Sequence, residues 1–285
     1  MSIVVTGATG HLGRLVVEEL LARGVPADEI VAAGRSTDKI SDLAERGVRV
    51  RVIDFEDPAT LRAAFAGADK VLLVSGSEVG RRVAQHRNAI EAAKDAGVGL
   101  LVYTGIANAD RTSMQLAAEH QATEEALRAS GVPFVLLRNG WYLENYTEQI
   151  PTYLRYGAVL GSAGEGRVSA ATRADYAGAA AAVLTAEGQE GRVYELGGDE
   201  AFTLAEVAAQ VAAASGKDVV YRDLPVAEYA QVLVGAGLPE PMAAVLADSD
   251  RGVAAGDLFV GSGDLGRLLG RPTTSLADAV GAALR

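Results

Sequence analysis

Glycine recurs at positions 7, 10 and 13, directly after the apolar run 2–6 and directly before a segment, 11–23, with helical spacing of its apolar residues. One glycine lets a chain turn sharply after a strand, a second lets a pyrophosphate approach the backbone, and the third lets a helix pack closely on the strand. The helix start adds free N–H groups and a partial positive charge. Strand, glycine loop and helix in this order predict a dinucleotide cradle made by Gly7, Thr9, Gly10, His11, Leu12 and Gly13. The bland alternative, a tight turn without a ligand, explains the spacing less fully.

The next decision is which dinucleotide. An NAD site usually places an acid at the end of the second strand, about 20 residues beyond the loop, to accept from the ribose hydroxyls. Here that strand ends Ala32-Ala33-Gly34-Arg35, without an acid. A carboxylate repels a 2′-phosphate, whereas a guanidinium binds it through paired charge-assisted bonds worth about 1.5–3 kcal/mol. Arg35 therefore predicts NADPH as the cofactor; the alternative is a solvated surface charge. The third strand ends Ile53-Asp54-Phe55, which puts Asp54 and Phe55 where an adenine would lie. Asp57 before Pro58 has the pattern of a helix N-cap with proline at N1, leaving Asp54 for the ligand.

Catalytic groups are harder to find. Short-chain reductases carry Tyr-x-x-x-Lys, in which the lysine lowers the tyrosine pKa for proton transfer. None of the nine tyrosines has a lysine four residues later; the lysines are Lys39, Lys70, Lys94 and Lys217. Alcohol chemistry by that route is disfavoured, and so is a sugar-nucleotide epimerase. An acceptor needing little general-acid help fits better. His120 shares a helical face with Leu116, Thr123 and Leu127. It reads either as a core histidine bonded to Glu124 or backbone, or as a group that orients the nicotinamide ribose or donates a proton. After the sixth strand come Asn139, Gly140, Trp141, Tyr142 and Asn145. The aromatic pair offers flat faces for a planar ring, and the two asparagines offer hydrogen bonds to a carbonyl. Trp141 reads equally as a staple between cap and sheet. His120, Asn139 and Tyr142 are the expected catalytic set.

Positioning these groups requires a regular frame. Apolar runs at 2–6, 30–34, 48–53, 70–75, 100–104 and 133–138 alternate with helical patterns at about 11–23, 37–46, 58–66, 81–96 and 113–130. Strands without polar alternation belong to a parallel sheet covered on both faces. The fold expected is α/β, a doubly wound parallel sheet (Rossmann fold) with a smaller, mainly helical C-terminal cap domain. Its ligands sit outside the carboxyl ends of the strands. Residues 1–139 with 167–198 are assigned to the NADP-binding domain, and 140–166 with 199–285 to the substrate and cap domain. The Ala-rich stretch 177–182 reads as close helix packing.

Composition narrows the rest. The chain has 285 residues, 49% apolar and 22% charged, with formal charge −11. Such acidity opposes a nucleic-acid partner, and Arg81-Arg82 stands alone as a basic pair. There is no cysteine, so disulfides, thiolate nucleophiles and iron–sulfur clusters are excluded. His11, His86 and His120 never fall into HxH or HExxH spacing, so no metal site is expected. The N-terminus begins a strand without a leader pattern, and no apolar stretch is long enough to span a membrane. The expected location is cytoplasmic; oligomeric state is not legible here.

The residues together resemble the NmrA-like atypical short-chain dehydrogenase/reductases, and within that group the bacterial NAD(P)H:quinone oxidoreductases of type 2. The likeness is carried by Val5-Thr6-Gly7-Ala8-Thr9-Gly10-His11-Leu12-Gly13, Ser75-Gly76-Ser77-Glu78-Val79-Gly80, Gln85-His86-Arg87-Asn88 and the run from Leu137 to Tyr146. It continues in Ser169-Ala170-Ala171-Thr172-Arg173-Ala174-Asp175-Tyr176, Val193-Tyr194-Glu195-Leu196 and Leu246-Ala247-Asp248-Ser249-Asp250. It implies pyrophosphate contacts at 7–13, the 2′-phosphate at Arg35 and the adenine near Asp54 and Phe55. It also implies the ribose–nicotinamide passage near Ser75, Gly76 and Thr104. His120 stands where many relatives carry lysine, and Gly76 stands where this branch has serine. The implied activity is hydride transfer from NADPH to a quinone or similar planar electrophile. Rivals on the same scaffold are a non-enzymatic NADP redox sensor acting through a protein partner, and a triarylmethane or azo dye reductase.

Overall fold

A computed structural model describes all of residues 1–285. Its strands are β1 (Ile3–Val5), β2 (Ile30–Gly34), β3 (Arg49–Val52), β4 (Lys70–Leu73), β5 (Leu100–Ile106), β6 (Phe134–Asn139), β7 (Ala158–Gly161), β8 (Val193–Leu196) and β9 (Val220–Asp223). Its helices begin with α1 (His11–Ala22), α2 (Ser41–Glu45), α3 (Pro58–Phe65), α4 (Arg82–Asp95), α5 (Ala117–Ser130), α6 (Glu144–Thr147) and α7 (Ile150–Tyr156). They continue with α8 (Arg173–Thr185), α9 (Leu204–Ser215), α10 (Val226–Gly235), α11 (Glu240–Ala254), α12 (Asp264–Leu269) and α13 (Leu276–Ala283).

Seven strands form one sheet in the order β3-β2-β1-β4-β5-β6-β8. β1 pairs in parallel with both β2 and β4, so the winding reverses there and opens a crevice at the carboxyl ends of β1 and β4. β8 continues the parallel order: Leu136 N–H donates to Arg192 O and Gly140 N–H to Leu196 O, four residues on in both strands. The doubly wound parallel sheet expected from the apolar runs is present. β3 departs from the expected burial: it is the sheet edge, with Arg49, Arg51 and Val52 exposed.

Two compact units divide the chain. The first comprises Met1–Ile106, Glu119–Asn139 and Arg173–Tyr194. Alternate residues of its strands go to opposite faces. Val4, Val31, Val71 and Leu101 join Leu61, Phe65, Ile90 and Leu127 of α3, α4 and α5 in one buried cluster. On α8 the alanines 177 and 179–181 are almost wholly buried, and the helix packs on α1. Small side chains allow that approach, and Arg23 Nη2 donates to Gly178 O at 3.1 Å. The Lys70 ammonium donates to Leu184 O and Ala186 O at 2.8 and 2.7 Å, satisfying carbonyls at the end of α8.

The second unit comprises Ala107–Ala118, Gly140–Thr172 and Glu195–Arg285. It therefore takes in 107–118, 167–172 and 195–198, segments that the sequence boundaries assign to the first domain. Asn108 accounts for the first of these: in the left-handed region at φ 56°, it donates through Nδ2 to Asp257 O and Phe259 O. The unit also holds a feature that helical patterning missed, a two-stranded parallel sheet of β7 and β9. Capping fixes its helices where the sequence carries the signal, as at α9, where Thr203 and Glu206 form a reciprocal capping box. No helix is long and apolar enough to cross a membrane.

Candidate functional site

The loop after β1 is built by its glycines. Gly7 turns the chain at φ 64°, and its carbonyl accepts from Gly10 N–H at 2.9 Å. A side chain at Gly13 would put a Cβ 2.3 Å from Gly7 O, so the third glycine is required by the close approach of helix to loop. At Gly10 the nearest atom to such a Cβ is Gly7 O at 3.4 Å, an ordinary contact. Gly10 is the extended N-cap of α1 and no side chain caps the helix. The N–H groups of the first turn, at His11, Leu12 and Gly13, therefore meet the donor requirement of a pyrophosphate.

Two further contacts tie this loop to its neighbours. Ala8 N–H donates to Ala33 O at 3.0 Å, and Thr9 packs over Gly34, where a Cβ would lie 2.6 Å from its methyl. Thr6, which the sequence reading did not single out, bridges β1 to β4. Its hydroxyl donates to Leu72 O and accepts from Val74 N–H, both at 3.0 Å.

Arg35 lies at the end of β2 with its side chain two-thirds exposed, and its Nη1 meets Glu78 Oε1 at 2.7 Å. At the end of β3 the expected N-cap is present: Asp57 accepts from Ala59 N–H at 3.0 Å, with Pro58 at the helix start. Asp54 is exposed, and its Oδ1 accepts from Glu56 N–H at 2.9 Å in the local turn. Phe55 packs against the core cluster, and its carbonyl accepts from Asn88 Nδ2 at 2.8 Å.

The loop after β4 is held by a buried polar network. Ser75 N–H donates to Thr104 Oγ1 at 2.9 Å, and Thr104 is buried on β5. Gly76 N–H donates to His86 Nε2 at 3.0 Å, while Gly76 O accepts from Arg82 Nε at 2.7 Å. Arg82 also meets Glu119 Oε2 at 2.7 Å, and Glu119 Oε1 accepts from Gly80 N–H at 2.8 Å. Because Gly76 N–H can only donate, His86 Nε2 is an acceptor and the imidazole is neutral. Its Nδ1 proton then points to Thr123 Oγ1 at 3.0 Å, and the Thr123 hydroxyl donates to Glu119 O. Burial, with Arg82 nearby, pushes the His86 pKa down to about 3, in agreement with that tautomer. His86, Arg82, Glu119 and Thr123 escaped the sequence reading as site residues; the only signal was their polarity on otherwise apolar helix faces. A serine Cβ at Gly76 would lie 3.3 Å from Gln85 Oε1, so serine there requires the end of the Gln85 side chain to give by a few tenths of an ångström.

His120 is buried, with Nδ1 2.7 Å from the Tyr103 hydroxyl. Burial, then Arg82 and His86, push its pKa down to about 3, while burial pushes the Tyr103 hydroxyl upward. At neutral pH both are uncharged. Glu124 is not the partner of His120: it takes Arg138 through two bonds of 2.8 Å, both residues buried, and Arg128 at 3.0 Å.

At the end of β6, Asn139 is 5% exposed and its Oδ1 has no hydrogen-bond partner. A buried acceptor without a donor calls for an explanation, such as a bound ligand. All the expected cofactor residues (those of 7–13, Arg35, Asp54, Phe55, Ser75, Gly76 and Thr104) lie in the first unit, at the carboxyl ends of five neighbouring strands. The remaining expected substrate residues lie in the second unit. There Tyr142 bridges Ala171 in parallel, Ala171 N–H donates to Trp141 O, and Leu143 N–H donates to Ala171 O. Gly140, Trp141, Tyr142 and Asn145 are all partly exposed.

The second unit also contains a group that the sequence reading quoted only within a motif. Asp250 is largely buried, and its Oδ2 accepts from Ser162 N–H at 2.7 Å. Burial pushes its pKa up to about 6. Its charge in turn raises Tyr146, Tyr153, Tyr221 and Tyr229, all of which burial raises first.

Comparison with known proteins agrees with this geometry. A family profile described as NAD(P)H-binding matches residues 7–187. The chain is 49% identical to quinone oxidoreductase 2 of Escherichia coli over 98% of its own length and 97% of that protein's. The crystal structure of the NADPH-dependent quinone oxidoreductase of E. coli with NADPH superimposes with a TM-score of 0.97, at 48% identity over 99% of this chain and 100% of that one. The triphenylmethane reductase of Citrobacter sp., solved with NADP(H), gives 0.94 at 40% identity, with 99% and 100% covered. The chain belongs to the NAD(P)H-binding, NmrA-like family of oxidoreductases.

Proposed function

We propose that this protein is an NADPH-dependent reductase that passes hydride to a quinone or a similarly planar electrophile. The observation that carries the cofactor half is the switch-point cradle, uncapped at the start of α1, with Arg35 and no acid at the end of β2. The acceptor half rests on the near full-length likeness to the E. coli quinone oxidoreductase.

The residues fit the dinucleotide. Gly7, Gly10 and Gly13 leave room for a pyrophosphate, and the N–H groups of His11, Leu12 and Gly13 supply donors. Thr9 and Gly34 set the loop beside Arg35, which takes the 2′-phosphate. Asp54 and Phe55 attend the adenine, and Ser75, Gly76 and Thr104 line the passage of the nicotinamide ribose. NADPH, when bound, supplies the hydride. The chain's own part is orientation and exclusion of water, since it has no Tyr-x-x-x-Lys pair. Asn139 Oδ1 takes a hydrogen bond from a ligand N–H or O–H. Trp141, Tyr142 and Asn145 serve the flat acceptor, with the rings as apolar faces. His120 does not act as a cationic proton donor: it is neutral at physiological pH and positions Tyr103, the neighbour of the His86 ring.

A second reading, reduction of a triarylmethane dye, is favoured by the 40% identity to the Citrobacter reductase. One assay separates the readings: NADPH oxidation is followed with a panel of quinones and triarylmethane dyes, and NADH is run in parallel. Turnover with quinones at higher kcat/KM than with dyes supports the first reading, and the reverse order supports the second. Tight NADP⁺ binding without turnover on either panel overturns both and leaves a redox sensor.

A further inference from the structure

The segment from Ser75 to Gly80 is pinned at both ends and charged between them. Gly76 is held through its N–H by His86 and through its carbonyl by Arg82, and Gly80 N–H is held by Glu119. Between these anchors Glu78 reaches Arg35, Nη1 to Oε1 at 2.7 Å, across the carboxyl ends of β2 and β4. Around the pair stand Gln85, whose Nε2 donates to Glu78 Oε2 at 3.2 Å, and Arg81, which meets Glu78 at 3.4 Å and also pairs with Glu56. The hydrogen bond from Gln85, then the one from Arg35, hold the Glu78 carboxyl below its ordinary range, so it is charged at neutral pH.

Arg35 is the residue read above as the ligand of the 2′-phosphate, and a phosphate monoester carries about −1.5 to −2 at pH 7. Glu78 and that phosphate are like charges competing for one exposed guanidinium, so they cannot share it without repulsion. We infer that Glu78 is a displaceable counter-ion of Arg35, which the 2′-phosphate must turn out and which thereby limits the preference for NADPH over NADH. A dinucleotide lacking the phosphate leaves the ion pair in place and offers a 2′-hydroxyl that the same carboxylate can accept. Fixed anchors on both sides of Glu78 allow its side chain to turn away while Ser75 and Gly76 stay in position.

This inference rests on the reading of Arg35, and binding of the oxidised cofactors tests the two separately. Titration calorimetry with NADP⁺ and NAD⁺ is applied to the wild-type chain, Glu78→Gln and Arg35→Ala. An exposed ion pair is worth at most a few-fold in affinity, so Glu78→Gln is expected to bind NADP⁺ about two- to fivefold more tightly. The same variant is expected to bind NAD⁺ no better than wild type. If Glu78→Gln leaves NADP⁺ affinity unchanged or weakens it, while Arg35→Ala abolishes the preference for NADP⁺, the counter-ion role is overturned and the reading of Arg35 stands. If Arg35→Ala leaves that preference intact, both are overturned. Equal tightening of NADP⁺ and NAD⁺ by Glu78→Gln also overturns the inference, because the effect then does not pass through the 2′-phosphate.

Discussion

At the scale of single residues, the three glycines of the loop do different work, although the spacing presents them as equals. Gly13 is required by the protein itself, because a methyl there would meet the Gly7 carbonyl at 2.3 Å. Gly10 has ordinary clearance within the chain, so the fold itself does not require glycine there, and the proposed pyrophosphate contact is what would. Gly13→Ala is therefore expected to lower stability by about 1–3 kcal/mol through overpacking, visible as a lower thermal midpoint. Gly10→Ala is expected to leave the midpoint close to wild type while raising the Kd for NADP⁺ at least several-fold. Equal loss of stability in both variants would show that the loop does not divide the labour this way. Asn139 belongs to the same scale: its buried acceptor without a partner supports the proposed ligand contact more sharply than its place in any motif.

At the scale of elements, the carboxyl edge of the sheet is held by polar pairs rather than by apolar packing alone. Arg138 at the end of β6 and Glu124 on α5 face each other with both side chains buried, joined by two bonds of 2.8 Å. The strand that presents Asn139 is thus fixed to the helix that carries His120 and Thr123. Removing one partner leaves a buried charge, which typically costs about 3–5 kcal/mol. Glu124→Gln is expected to destabilise the chain by several kcal/mol in denaturant titration, since the buried guanidinium of Arg138 loses the carboxylate that meets it through two bonds. Glu124→Asp, which keeps the charge, should lose clearly less. A stability change below about 1 kcal/mol for Glu124→Gln would refute the pair's role.

At the scale of the whole molecule, the two units carry opposite responses to acid. In the first unit, His86 and His120 are neutral when folded, with pKa values lowered from 6.5 to about 3. Below pH 6.5 the unfolded histidines take up protons that the folded ones refuse. Their contribution is therefore present above pH 6.5 and is lost as pH falls toward about 3, at up to about 1.4 kcal/mol per pH unit for each. In the second unit, Asp250 is raised from 3.8 to about 6. Between those values the folded chain keeps a proton that the unfolded chain has lost, so this contribution declines as pH rises through the window. Hydrogen exchange followed from pH 4 to pH 6 is expected to show protection growing with pH in β4, β5 and α4, and declining around β7 and α11. Asp250→Asn should remove the second trend and leave the first. Parallel trends in both units would contradict the assignment.

The sequence alone determined what depends on neighbours along the chain. The alternation of apolar runs and helical patterns specified a parallel doubly wound sheet, because buried strands must be apolar on both faces. The glycine spacing specified the loop at Gly7, Gly10 and Gly13, and Asp57-Pro58 specified a cap, because turns and caps are settled within a few residues. Other features needed the tertiary structure. The edge position of β3 follows from strand order, which local periodicity does not encode. β7 and β9 pair across some 60 residues of intervening chain, so neither strand announces the other. The sequence leaves the state of His120 open between a core role and one of orienting the nicotinamide ribose or donating a proton. Burial against Tyr103 decided that the imidazole is neutral. The roles of His86, Arg82 and Glu78 came only from folding, which brings 35, 76, 78, 82, 86 and 119 to the carboxyl edge of one sheet. Hydrogen bonds and charge pairs act over about 3 Å of space, and only the fold decides which residues come that close.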